Sequence, residues 1–124
     1  MKYLFLDVEN RDVKMVEANG LDDYYRFIGC RCIDIVSRTI GDVKVEIIID
    51  DEGALVNNPK ISAIDIAGTP VLCGNLLVAS GRVTEDGELT ELTEAEIDEI
   101  MDNVATITTS VYKEPYPVFV EVDY

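Results

Sequence analysis

Histidine is absent from this 124-residue chain, and cations are scarce: ten Lys and Arg face 25 Asp and Glu, for a net charge of −15. The first absence excludes Ser-His-Asp and Cys-His nucleophiles, which need an imidazole to take the proton. It also removes a common zinc ligand, and a zinc site needs more than the cysteines present. The second disfavours direct contact with nucleic-acid phosphates or an anionic membrane, because the charges share a sign. A net charge of about 2–8 would already keep a small domain in solution, so −15 exceeds what solubility requires. Gly68, Gly74 and Gly81 fit neither the dinucleotide-binding nor the P-loop spacing. Long apolar runs are missing too. Tyr3–Leu6 is stopped by Asp7 and Glu9, and Val71–Ala79 is too short to span a bilayer. A cytoplasmic protein is expected, with no membrane contact. Cys30, Cys32 and Cys73 fit a reducing compartment. Cys30-Arg31-Cys32 lacks the redox C-x-x-C spacing, and reads as two small core residues sharing one face of a strand.

What is present is an ordinary globular composition, 48% hydrophobic and 28% charged, without repeats or low-complexity stretches. It predicts one domain over residues 1–124. Residues 3–9 and 12–18 read as a hairpin around Glu9-Asn10-Arg11-Asp12. Leu21–Ile28 reads as a short helix, with Asn19 or Asp22 near its start and Gly29 capping it. Strands are expected over 31–38 and 43–50, joined by Gly41-Asp42. In the second, Val43, Val45, Ile47 and Ile49 face one way and Lys44, Glu46 and Asp50 the other. Residues 60–66 fit a helical turn or a strand. Val71–Ser80 reads as one central strand. Thr93-Glu94-Ala95-Glu96 is a capping box with Leu92 and Ile97 as its staple. Ile97, Ile100, Met101 and Val104 then make one stripe of an amphipathic helix over about 94–105. After the prolines at 115 and 117, which suggest an edge strand, Val118, Val120 and Val122 alternate with polar residues. The whole predicts an α+β fold on a mainly antiparallel β-sheet with one short helix and one amphipathic helix.

Asp50-Asp51-Glu52-Gly53-Ala54-Leu55, Asn58-Pro59 and Ile66-Ala67-Gly68-Thr69-Pro70-Val71-Leu72-Cys73-Gly74-Asn75 carry a resemblance to the DUF3846 family. The helix before Gly29 and the closing Leu92-Thr93-Glu94-Ala95-Glu96-Ile97 also resemble it. The resemblance covers about residues 20–105, with the N-terminal hairpin and the 106–124 tail as departures. It implies a source in phages or other mobile elements of bacteria, and hence action on a host defence system. It assigns no residue a role.

Chemistry must therefore be sought in the charge. Glu85-Asp86-Gly87-Glu88 suggests a calcium loop, but placing Gly87 at the EF-hand glycine puts Arg82, Thr84 and Thr93 at ligand positions. No cofactor and no catalytic residue is expected. Val83–Asp102 holds nine acidic residues and no cation: Glu85, Asp86, Glu88, Glu91, Glu94, Glu96, Asp98, Glu99 and Asp102. At ~1.5 Å rise per residue, the helical five present a charge every ~3 Å. One DNA strand presents a phosphate every ~3.4 Å. Glu94, Asp98 and Asp102 share a face at i, i+4, i+8. One reading is a solvated outer face whose first-turn acids suit the helix dipole. The other is a DNA-mimic-like surface, with Glu85, Asp86, Glu88, Glu91, Glu94, Asp98 and Asp102 docking on the basic surface of a defence or nucleic-acid-binding protein. A different class of function, sequestration of a nucleotide signal, would use Arg26, Arg31, Arg38 and Lys44. Arg31 and Lys44 would meet across paired strands, and Tyr24 or Tyr25 would stack on a base. Asn57, Asn58 and Asn75 would add hydrogen bonds. Self-association is open on either reading.

Overall fold

The computed structural model describes residues 1–53, 55 and 58–123; Asn57 lies outside them. The architecture is α+β, with two helices and two mainly antiparallel sheets among the described residues. β1 (Lys2–Asp7) and β2 (Asp12–Glu17) pair from Lys2↔Glu17 to Asp7↔Asp12. The hairpin closes because the buried Asp7 carboxylate accepts the backbone N–H groups of Glu9 and Asn10, at 3.2 and 3.1 Å. α1 (Leu21–Ile28) follows and ends at Gly29, whose φ of 76° is the left-handed cap that glycine adopts without strain. Its N-terminal neighbour is Gly20 rather than a side-chain cap.

β3 (Ile33–Ile40) and β4 (Val43–Asp50) pair around Gly41-Asp42, as expected, from Ile33↔Asp50 to Ile40↔Val43. The strand starts two residues later than its sequence suggests. The helix cap takes the Cys30 N–H onto the Tyr25 carbonyl at 3.3 Å. Cys30 and Cys32 therefore lie in the connection, half-buried and exposed respectively, and are not paired core residues of a strand.

The run expected as one strand from 71 to 80 is two. β6 (Pro70–Cys73) and β7 (Leu76–Ser80) belong to different sheets. Gly74, at φ 84°, turns the chain between them, its N–H bonded to the Lys60 carbonyl at 2.9 Å. The ambiguous segment resolves as β5 (Ile61–Ile64). α2 (Glu94–Met101) is shorter than expected, because Asp102 ends it and Val104 opens a strand, β8 (Val104–Ile107). The apolar signal at Val104 belongs to that strand. The tail also splits, into β9 (Tyr116–Phe119) and β10 (Val122–Asp123), bent at Glu121 with φ 55°. β9 is interior despite Pro117. Its pairing to β5 is at Phe119, past the residue that lacks an N–H.

The six-stranded sheet runs β10-β3-β4-β7-β1-β2 and the four-stranded sheet β6-β5-β9-β8. β7 is buried along its whole length. Leu76 and Val78 pack with Leu4, Leu6, Val45 and Ile47 against Phe119 and Val118 of the second sheet and Ile100 of α2. Leu77 and Ala79 face the other way, with Tyr3, Phe5 and Ile48, under Ile28 and Phe27 of α1. Each such Leu, Ile or Phe contributes about 1.5–3 kcal/mol on burial. No described helix is long and apolar enough to cross a membrane.

Gly81 leaves β7 so close to β4 that a Cβ there would lie 2.7 Å from the Lys44 carbonyl carbon and oxygen. Its N–H donates to that oxygen at 2.8 Å. Gly81→Ala should cost about 1–3 kcal/mol, the range for overpacking, read as a lower urea midpoint with unchanged slope.

Candidate functional site

The acidic segment begins in a loop fixed by its own backbone. Ser80 N–H donates to Thr90 C=O at 2.9 Å, and Thr84 N–H to Glu88 C=O at 3.0 Å. Glu85, Asp86 and Glu88 sit exposed on this loop. Glu91 accepts the Lys2 backbone N–H at 2.8 Å, which ties the loop's return to β1.

Arg82 joins the loop to α2. Its guanidinium donates to Glu91 C=O at 3.3 Å and to Glu96 Oε1 at 3.0 Å. Glu96 is also the return arm of the capping box: Glu96 N–H donates to Thr93 Oγ1 at 3.1 Å, and Thr93 N–H to Glu96 Oε1 at 2.9 Å. The buried Ser80 hydroxyl donates to Glu96 Oε2 at 3.2 Å. Burial pushes the Glu96 carboxyl up, but Arg82, Thr93 and Ser80 outweigh it and hold it below the ordinary value.

On α2, Ile100 is fully buried and Ile97 packs against the core. Met101 is 41% exposed and departs from the expected stripe. Glu94, Asp98 and Asp102 are exposed. In an eight-residue helix, only Glu94 and Glu96 lie in the first turn, where the dipole favours them. Asp98 and Glu99 fall in the last turn and Asp102 at the C-cap, and no basic residue accompanies them. Carboxylates at a helix C-terminus are disfavoured by about 0.3–1 kcal/mol each. The pairs Glu94–Asp98 and Asp98–Asp102 add about 0.2–0.5 kcal/mol of repulsion apiece.

Glu99 turns toward a cavity of about 440 Å³ beside the β3–β4 turn. Asp42, Asp65, Glu121 and Asp123 line it with Glu99, no Lys or Arg among the described residues does, and Ile66, 87% exposed, stands at its rim. These four further carboxylates escape sequence reasoning. They are scattered over three segments, the β3–β4 turn, the turn after β5 and the tail around β10, and each reads alone as a turn or strand-end residue. Asp65 does serve its turn, accepting Ala67 and Thr69 N–H at 3.0 and 2.8 Å.

The alternative ligand set is brought together only in part: Tyr25 and Arg31 line one cavity of about 420 Å³ with Asp50 and Glu52, and the other members lie elsewhere. Arg31 precedes β3 while Lys44 lies beside Thr39, so roughly 20 Å of strand separates them. Arg38 and Lys44 share a shallow cavity near the turn end of the hairpin. Arg26 lies on α1, paired with Asp23 at 3.2 Å and stacked on Phe27 at 4.5 Å. The Tyr24 hydroxyl is engaged by Tyr3 at 2.5 Å. Asn75 is committed structurally, accepting Val8 N–H at 2.9 Å and donating to Phe27 C=O at 3.1 Å. Asn58 contributes its carbonyl, which accepts the Tyr112 hydroxyl.

Residues 1–105 match the family described as Domain of unknown function (DUF3846). The match includes the N-terminal hairpin, so that hairpin is no departure from the family, whereas β9 and β10 lie outside the matched span. No curated protein and no solved structure matches.

A lowered carboxyl contributes stability above its unfolded pKa of about 4.3, and that contribution is lost as pH falls through the folded value. Glu96→Gln keeps a capping-box acceptor but removes the charge facing Arg82. It should lower stability at pH 7 by less than about 1 kcal/mol, as for partly exposed pairs. The gap to the parent should close as pH falls from 5 to 3 in parallel urea titrations.

Proposed function

We propose that this chain, which belongs to the DUF3846 family, acts by binding rather than by catalysis. Its acidic face docks on the basic surface of a protein that otherwise holds nucleic acid. The observation that carries the reading is the position of Asp98, Glu99 and Asp102. They occupy the one end of α2 where the helix dipole opposes them. First-turn stabilisation covers Glu94 and Glu96 and leaves these three without a local reason.

Charge spacing, a carboxylate-lined cavity, an exposed apolar residue and the family resemblance support the choice of partner. The carboxylates of α2 recur at close to the spacing of phosphates along a DNA strand. The face also continues through Glu99 into a cavity lined by five carboxylates and wide enough for a basic side chain. The exposed Ile66 at its rim offers the apolar contact that protein interfaces add to charge. The resemblance to proteins of phages and mobile elements favours a defence protein in the cytoplasm of a bacterial host as the target.

Immobilised protein exposed to bacterial lysate should retain a basic protein at low salt and release it at high salt, because exposed charges are screened. The triple variant Glu94→Lys, Asp98→Lys, Asp102→Lys should retain none while keeping the parent's circular dichroism. Equal capture by a folded triple variant would sink the reading.

A further inference from the structure

Away from α2, two cavities of about 290 and 360 Å³ share Glu9, Lys60 and Tyr112, and so form one groove. It lies between the β1–β2 turn, the C-terminal end of α1 and the segments before β5 and β9. Four of the chain's ten cations line it, Arg11, Arg26, Lys60 and Lys113, against the carboxylates Glu9, Asp50 and Glu114. Four minus three gives +1 for the groove. The other six cations and 22 carboxylates leave −16 elsewhere. Arg11 is paired with Glu114 and Arg26 with Asp23, which lies outside the groove, so the lysines are the cations in question. Among the described residues, neither Lys60 nor Lys113 has a carboxylate within ion-pair distance. Lys60 is half-buried, its ammonium held 4.7 Å from the ring centre of Tyr112 and 5.1 Å from that of Tyr116. A cation held in place and partly desolvated by two rings, in a chain this rich in carboxylates, is poised for an anion from outside.

We infer that this groove binds a small phosphorylated molecule of nucleotide size. Guanidinium and ammonium groups together suit phosphate oxygens. Glu9 and Asp50, at the same groove, suit hydroxyl or amino donors on the rest of the ligand, which bare phosphate lacks. The larger cavity lies within the range that small ligands occupy, about 300–1,000 Å³, and the smaller, continuous with it, extends the groove. A long polyanion is excluded by the −16 on the remaining surface, whereas a ligand confined to the groove is shielded from most of it over a Debye length of about 8–10 Å. The site shares no residue with the acidic face and does not depend on it.

Calorimetric titration with ADP, GDP, CDP and UDP tests the assignment, with adenosine and inorganic phosphate as comparisons. At least one diphosphate should bind with a Kd below about 1 mM, and Lys60→Met with Lys113→Met should weaken it about tenfold or more, about 1.4 kcal/mol. Adenosine should give no heat, and the α2 triple variant should bind as the parent does. Lys113→Glu, at an exposed position, should also weaken binding and serves if the double variant does not fold. Absence of binding by all four diphosphates, binding unchanged in the folded variants, or inorganic phosphate binding as tightly as the best diphosphate would overturn the assignment.

Discussion

β7 hydrogen-bonds to β4 on one side and β1 on the other, and its five residues are buried on both faces. That placement requires a cover for each face. α1 provides one with Phe27 and Ile28, and the second sheet and α2 provide the other. A core closed on both sides leaves no interior room for 25 carboxylates and sends nearly all of them outward. Among the described residues, Asp7 is the charged residue held inside, and two backbone N–H groups and an Asn side chain satisfy it.

The outward charge is not evenly spread. Arg82 neutralises Glu96 at the start of α2, where the capping box already needs a carboxyl. From Asp98 onward α2 has no cation, and Glu99 there joins four further carboxylates around one cavity. The opposite imbalance marks the groove around Lys60, where four cations gather. The two regions answer to different chemistry: an extended anionic face suits a basic macromolecular surface, and a weakly cationic groove suits a small anion.

Much of the fold was legible in the sequence. The β1–β2 and β3–β4 hairpins, the Gly29 cap and the Thr93–Glu96 capping box each rest on local chemistry within a few residues. The failures came where tertiary structure reused a local pattern. Val71–Ser80 reads as one strand because nothing in its apolar run announces that Gly74 passes the chain from one sheet to the other. Val104 continues the helical period yet pairs with Phe119 in β8. The acidic helix was legible as a charge run, but its length was not, and the length determines which carboxylates meet the unfavourable end of the dipole. Asp42, Asp65, Glu121 and Asp123 carried no signal, since only folding brings them to one cavity. Arg31 and Lys44 were expected to meet across strands, and the two-residue turn at Gly41-Asp42 sets a register that keeps them apart.

The C-terminal carboxylates of α2 are, on this reading, held against the interest of the isolated fold. Urea unfolding of Asp98→Asn with Asp102→Asn at low salt measures this directly. The variant should be more stable than the parent by about 1 kcal/mol, from relieved dipole and like-charge repulsion, with the gain shrinking as salt rises. A variant no more stable than the parent would show that these carboxylates serve the fold itself, and would contradict the claim.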